Sequence, residues 1–222
     1  MNEKTKVHLS AFELELVNNT EWISTKQKII EKVEGLFGEL HNGYKSILEL
    51  EKNHIPAILQ KPGGKISKGD NYLGLPYLIL DYPAFFSKEN IFAVRTLFWW
   101  GNFFSISLHL SGKTCNNSKK ISSWLEYFSR NQFFICVNET EWHHHFEPSN
   151  YIQIEGANQI VINDIANKNF FKVSKKIVLS DWNYVPEFLE DSFRKIVTFI
   201  TINFPNDEII LSPGPPRAGF DL

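Results

Sequence analysis

The chain has 222 residues, and its 23 basic and 25 acidic side chains leave a formal charge of −2 at neutral pH. Hydrophobic residues make up 43% of it, including 19 Phe, 6 Trp and 7 Tyr, which excludes a largely disordered chain. The near-balanced charge excludes a generally basic nucleic-acid-binding protein, and no apolar run approaches the ~20 residues that a membrane-spanning helix needs. We therefore expect a globular protein with no nucleic-acid or membrane partner.

Two further features bear on the cellular compartment. The polar start, residues 1–6, has no apolar signal block, which favours a cytoplasmic location. The two cysteines, Cys115 and Cys136, form no CxxC pair and have no neighbouring histidine, so we expect plain free thiols.

The first helices are predicted from apolar residues at three- and four-residue steps. Ser10 and Glu13 have the spacing of a capping box at the start of a short helix, and a second helix follows after residues 18–20. We expect residues 41–43 to interrupt it. Residues 44–52 and 159–167 fit either a helix or a strand, with a helix favoured. The predicted helices cover residues 10–17, 22–40, 44–52, 118–130, 159–167 and 183–203.

Residues 61–71 contain three Gly, three Lys and one Pro, which predicts an exposed loop. Beyond this loop the spacing of the apolar residues changes from that of a helix to that of extended strands. Strands are predicted at residues 77–80, 91–100, 103–111, 133–137, 151–155 and 170–179. This order indicates an α+β fold: a mostly antiparallel sheet with helices packed on one face, an N-terminal helical segment and a long C-terminal helix. We expect a single domain over residues 1–211 and an extended or disordered tail over 212–222.

Gly101-Asn102 matches a two-residue hairpin turn between the strands 91–100 and 103–111. Such a turn places Thr96 opposite Ser107, so that one face of the hairpin mixes aromatic rings with hydroxyls and an imidazole. Apolar walls with a few polar groups are typical of a ligand pocket, although a solvated sheet face is the alternative. The candidate ligand-binding residues are Thr96, Phe98, Trp100, Ser105, Ser107 and His109, with the 61–71 loop closing over them.

Arg95 is the single charged residue on the other, apolar face of this predicted hairpin. An unpaired guanidinium is costly to bury, so we expect a carboxylate partner, with Asp81 at the end of the preceding strand the nearest candidate. The alternative is an arginine that binds an anionic ligand.

Residues 141–147 read Glu-Trp-His-His-His-Phe-Glu. In extended geometry His143, His145 and Glu147 share one side of the chain. Two imidazoles and a carboxylate can hold zinc, iron or manganese with a position left open for water, and the HxH spacing resembles that of cupin-like metal sites. This segment predicts a metal-dependent hydrolase or oxygenase, whereas the alternative is a solvated histidine cluster. The sequence assigns no other cofactor.

Two further function classes remain open. Residues 111–114 (Ser-Gly-Lys-Thr) lack the upstream glycine of a phosphate-binding loop, but the surrounding order of strand, loop, helix and strand resembles that of the acetyl-CoA-dependent N-acetyltransferases. Their Q/R-x-x-G-x-G/A pattern is absent, so the resemblance is one of element order alone.

Surplus aromatics on a sheet face also fit a protein-interaction module or a homo-oligomer interface. Our leading expectation is a small-molecule-binding protein, with catalysis left open.

Overall fold

The computed structural model describes residues 8–60, 63–115 and 120–204. Its α-helices are α1 (Ala11–Asn18), α2 (Thr20–Leu50), α3 (Ile121–Arg130), α4 (Gln159–Asn167) and α5 (Val185–Asn203). Its strands are β1 (Gly63–Tyr72), β2 (Leu75–Phe86), β3 (Ile91–Trp99), β4 (Phe103–Ser111), β5 (Phe134–Cys136), β6 (Tyr151–Gln153) and β7 (Phe170–Val178).

These strands form one seven-stranded sheet in the order β1-β2-β3-β4-β7-β5-β6, with every described pair antiparallel. Helices α2 and α5 bury their apolar stripes against one face of this sheet. The predicted α+β fold with a long C-terminal helix is confirmed. None of the described helices is long and apolar enough to cross a bilayer. The tail predicted for residues 212–222 lies outside the described residues.

The helix boundaries follow from local capping and from packing. The capping box of α1 forms as predicted: Ser10 Oγ accepts from the Glu13 amide at 3.2 Å, and the Glu13 carboxylate accepts from the Ser10 amide at 2.7 Å. Asn19 ends α1 and caps α2 by accepting from the Trp22 amide at 2.8 Å. The interruption expected at residues 41–43 is wrong, because the side chains on either side of it keep the helix packed against the core.

Residues 63–71 belong to strand β1, so the predicted exposed loop is wrong there; residues 61 and 62 lie outside the described part. Lysines and glycines fit an exposed edge strand as well as they fit a loop, because charged side chains discourage pairing with a further strand. Strand β2 also continues past Asp81, where a strand end was predicted. Pro83 is tolerated because the register with β3 shifts between Asp81 and Ala84.

The hairpin of β3 and β4 has a different register from the predicted one. Trp99 pairs with Phe103, so the loop holds three residues rather than two, and Gly101 within it has φ +69°. Thr96 lies opposite Ile106, and Arg95 lies opposite Ser107. The predicted pairing is wrong by one residue, which exchanges the faces of one strand relative to the other.

As a result, both faces of the hairpin are buried. The face under the helices, here called the helix face, consists of Phe92, Val94, Thr96, Phe98, Phe104, Ile106, Leu108 and Leu110. The opposite face, here called the polar face, carries Arg95, Ser105, Ser107 and His109 among apolar neighbours. Residues 137–150, here called the cover segment, lie over it.

Candidate functional site

The polar face gathers ionisable side chains from five strands, and the cover segment above it contributes two more. The strand side chains share one face because side chains alternate along each strand, so that every second one points toward this face. We call the following group the polar cluster: Asp81, Arg95, His109, Glu141, His144, Tyr151 and Lys172. Lys172 is 1% exposed and His144 4%, so the cluster lies inside the protein.

Arg95 and Asp81 form the charged pair predicted from the sequence. Arg95 Nε and Nη2 donate to the two carboxylate oxygens of Asp81 at 2.8 and 2.9 Å. Burial is the largest single influence and by itself would lower the pKa of Arg95, but the charge and the hydrogen bonds of Asp81, with smaller contributions from nearby tyrosines, together raise that pKa. The guanidinium therefore stays charged, and its charge is balanced locally.

The remaining guanidinium nitrogen fixes the tautomer of His144. Arg95 Nη1 lies 3.2 Å from His144 Nε2, and since arginine only donates, Nε2 must accept. Burial lowers the pKa of His144 well below its ordinary value, so the ring is neutral and its single proton is on Nδ1. That Nδ1–H faces Lys172 Nζ at 3.5 Å.

This arrangement favours a neutral amine at Lys172. Its Nζ donates to the main-chain oxygens of Glu141 at 2.6 Å and His143 at 2.7 Å. A neutral amine has two hydrogens for these carbonyls and one lone pair for His144 Nδ1–H, which accounts for all three contacts. Burial also lowers the pKa of Lys172 to about 7. Lys172 thus joins strand β7 to the cover segment without requiring a buried positive charge.

His109 lies opposite Lys172 across β4 and β7. Burial lowers its pKa to about 4, which keeps the ring neutral at physiological pH. Its Nε2 is 3.7 Å from Glu141 Oε1, beyond hydrogen-bond length, and its ring meets that of Trp142 edge-on.

Two polar atoms of the cluster have no hydrogen-bond partner among the described residues. They are His109 Nε2 and the Tyr151 hydroxyl, in side chains only 6% and 3% exposed. Both side chains lie beside Lys172, whose Nζ is 5.7 Å from the centre of the Tyr151 ring. The hydroxyls of Ser107 and Ser174 pair with each other at 2.9 Å and lie near the Tyr151 hydroxyl without a hydrogen bond of good geometry to it. The cluster therefore holds unused hydrogen-bonding capacity next to the amine of Lys172.

The structure does not bring together the six residues predicted to line a pocket. Ser105, Ser107 and His109 are buried on the polar face, whereas Thr96 and Phe98 lie on the helix face. There the Thr96 hydroxyl bonds to the Tyr44 hydroxyl at 3.2 Å. Trp100 lies in the hairpin loop with its ring against that of Phe98. The physical reason is the shifted register, and the closing role given to residues 61–71 is lost because residues 63–71 are strand.

Sequence reasoning missed Lys172, His144 and Tyr151 as members of the cluster. A signal for Lys172 was present, because it alternates with the apolar residues Phe171 and Val173 in a predicted strand. A lysine in an otherwise apolar strand is usually expected to be exposed to solvent. Only the cover segment above β7 turns that position into a buried one.

Side chains within residues 141–147 alternate as predicted. The residue that joins the polar cluster, His144, is however on the side opposite to the predicted metal ligands. Trp142, His144 and Phe146 face the sheet. His145 Nδ1 bonds to the Tyr72 hydroxyl at 2.9 Å, the rings of His143 and His145 are 5.2 Å apart, and Glu147 is exposed. Within the described ranges, no three His, Cys, Asp or Glu side chains are grouped to hold a metal ion. The metal-site prediction of His143, His145 and Glu147 is without structural support.

Two surface clefts lie away from the polar cluster. One, of about 340 Å³, lies where β7 extends beyond β5, and its wall includes Phe133, Gln153 and the two lysines Lys175 and Lys176. The other, of about 240 Å³, lies between α2 and β2 beside His41 and Tyr82. Cys115 and Cys136 are buried free thiols, as predicted, and burial raises the pKa of both.

No protein-family model, no curated protein and no solved structure matches this chain. The resemblance in element order to N-acetyltransferases accordingly gains no support. Any assignment of function must come from the polar cluster and the surfaces of the molecule.

Proposed function

We propose that the protein binds a small uncharged polar molecule at the polar cluster, beneath the cover segment. The observation that carries this proposal is the pair of buried atoms without partners, His109 Nε2 and the Tyr151 hydroxyl. A buried polar group without a partner costs about 1–3 kcal/mol. Folded proteins keep few such groups, and two of them beside one amine point to a ligand that satisfies both.

The basic groups of the cluster present no unpaired positive charge to an anionic ligand, which favours an uncharged one. Arg95 is neutralised by Asp81, and Lys172 is held as a neutral amine by its three contacts. What the site offers is hydrogen bonding, through an imidazole nitrogen and a phenol hydroxyl that can each donate or accept. An amide or a polyol has the matching groups. Of the residues predicted from the sequence to line a pocket, Ser105, Ser107 and His109 lie on this face of the sheet, whereas Thr96, Phe98 and Trp100 do not.

Entry requires the cover segment to move, since the cluster is buried. This segment is irregular, and its two ends meet where the Val137 amide donates to the Asn150 carbonyl at 2.8 Å. A loop closed at its base and packed by its own side chains is a common form of mobile lid. Tyr72 holds the middle of it by accepting from the amides of His144 and His145 at 2.7 and 3.2 Å.

The test is the variant Tyr151→Phe, with Tyr184→Phe at an exposed position as the matched control. Binding is measured by ligand-observed NMR against a mixture of small amides, polyols and neutral amino acids. We expect wild type and Tyr184→Phe to bind the same component and Tyr151→Phe to lose it. Without ligand, Tyr151→Phe should raise the free energy of unfolding by about 1 kcal/mol, because the lost hydroxyl has no partner. Equal binding by all three proteins, or destabilisation by Tyr151→Phe, would contradict the proposal.

A second candidate is amine catalysis, which the neutral Lys172 favours. An unprotonated primary amine adds to a carbonyl carbon, and loss of water then gives an imine. Incubation with pyruvate and cyanoborohydride would reduce that imine to a stable secondary amine on Lys172, detected by peptide mass spectrometry. Lys176, which is exposed, is the internal control for nonspecific modification. Equal labelling of the two lysines would remove this candidate.

A further inference from the structure

The N-terminal helices extend beyond the folded body. Helix α1 buries none of its side chains, and the first buried residue of α2 is Val33. At 1.5 Å per residue, residues 20–32 of α2 carry the helix roughly 20 Å before it reaches the core. We call α1 together with residues 20–32 the arm.

The arm up to Ile23 exposes large apolar side chains. Phe12 is 65% exposed, Val17 59%, Trp22 43% and Ile23 50%. Helix α1 has apolar residues around its whole circumference, a pattern that soluble proteins normally bury. An exposed apolar surface of this kind marks an interaction site.

The exposed stripe of α2 is a continuation of its buried one. Ile23, Ile30, Phe37 and Tyr44 follow one another at steps of seven, so they lie on one side of the helix. Phe37 and Tyr44 are fully buried against the sheet and α5, and Ile30 packs at the edge of that core. Ile23 extends the same stripe past the body, where none of the residues that the structure describes buries it.

The charges along the arm indicate what that molecule is. Residues 10–25 contain three acidic residues, Glu13, Glu15 and Glu21, and no basic one. The next stretch, residues 26–32, contains Lys26, Lys28 and Lys32 against a single acid, Glu31. Two copies of the arm laid antiparallel about a two-fold axis place the acidic end of each against the basic end of the other. A parallel pair would oppose like charges.

We propose that the arm is a homodimerisation element, in which two chains pair their arms antiparallel with Trp22 and Ile23 near the two-fold axis. Large apolar residues at the centre and charged residues toward the ends match the usual anatomy of an interface. This inference is independent of the proposed ligand site, which lies on the opposite face of the sheet from α2.

The test is the solution mass from light scattering coupled to size exclusion, on the full chain at micromolar concentration. We expect the wild type to be a dimer. Ile23→Glu should be a monomer with an unchanged circular dichroism spectrum, since the arm lies outside the core. The matched control is Ile160→Glu, at another exposed isoleucine, and it should remain a dimer.

Charge reversal tests the antiparallel arrangement. The double variants Glu15→Lys/Glu21→Lys and Lys26→Glu/Lys28→Glu should each raise the dimer dissociation constant about tenfold or more, because like charges then meet. The quadruple variant combining both should recover the dimer. A monomeric wild type, or a quadruple variant no better than the doubles, would overturn the inference. A monomer that co-floats with anionic phospholipid vesicles would assign the arm to a membrane surface instead.

Discussion

The guanidinium of Arg95 on β3 and the carboxylate of Asp81 on β2 meet through two parallel hydrogen bonds of 2.8 and 2.9 Å. Both side chains are nearly buried, at 10% and 13% exposure. The same guanidinium reaches His144 of the cover segment through Nη1. One ion pair therefore connects two neighbouring strands to the segment that closes the polar cluster.

Removing one partner of this ion pair should be strongly destabilising. We expect Asp81→Asn to lower the free energy of unfolding by about 3–5 kcal/mol, because it leaves the Arg95 charge buried without its counter-charge. The measurement is urea unfolding at neutral pH. Asp191→Asn is the control: it breaks the solvent-accessible pair with Lys195 and should cost no more than about 0.5 kcal/mol. Similar losses in both variants would show that Arg95 finds other compensation.

Stability should fall with acid between about pH 6.5 and pH 4. Folded His109 has a pKa of about 4, whereas an unfolded histidine titrates near 6.5, so the unfolded state binds more protons in this window. The contribution of His109 is complete above pH 6.5 and is lost as pH falls toward 4, a change on the order of 3 kcal/mol. His109→Gln should flatten the curve of unfolding free energy against pH. The exposed control His54→Gln should leave its slope unchanged.

Lys172 should hold the cover segment in place. In Lys172→Met the main-chain oxygens of Glu141 and His143 lose their donor, while the unbranched apolar part of the side chain is largely kept. We expect deuterium uptake of a peptide covering residues 139–148 to rise at least about tenfold in rate, since opening in the variant no longer breaks two hydrogen bonds worth about 1 kcal/mol each. Lys176→Met, at an exposed position, is the control. Unchanged uptake in Lys172→Met would mean that other contacts close the segment.

Gly112 is required for its backbone conformation. Its φ is +71°, and a Cβ at this position would overlap the carbonyl oxygen of Glu89. We expect Gly112→Ala to cost at least about 2 kcal/mol of unfolding free energy, measured by thermal and urea unfolding. Gly156→Ala is the matched control, because a Cβ there meets nothing within 4 Å and the φ is not left-handed. The glycine of the Ser-Gly-Lys-Thr stretch is thus explained by chain geometry rather than by phosphate binding.

Local signals in the sequence were sufficient for most elements of this protein and for its charged pair. Helix α5, the capping box of Ser10 and the inward face of β7 follow from periodicity and capping, which depend on residues a few positions apart. The pairing of Arg95 with Asp81 followed from the cost of burying a lone charge. These inferences need only local geometry and the energetics of one group.

The tertiary structure alone decided which side of the sheet carries the chemistry. One additional residue in the loop at Gly101 moved Thr96 away from Ser107, because side chains in a strand alternate with a period of two. Lys172 and His144 became neighbours only when residues 137–150 folded over β7. Contacts between segments so far apart leave no periodic trace in either one, so the sequence contains the residues of the polar cluster but not their juxtaposition.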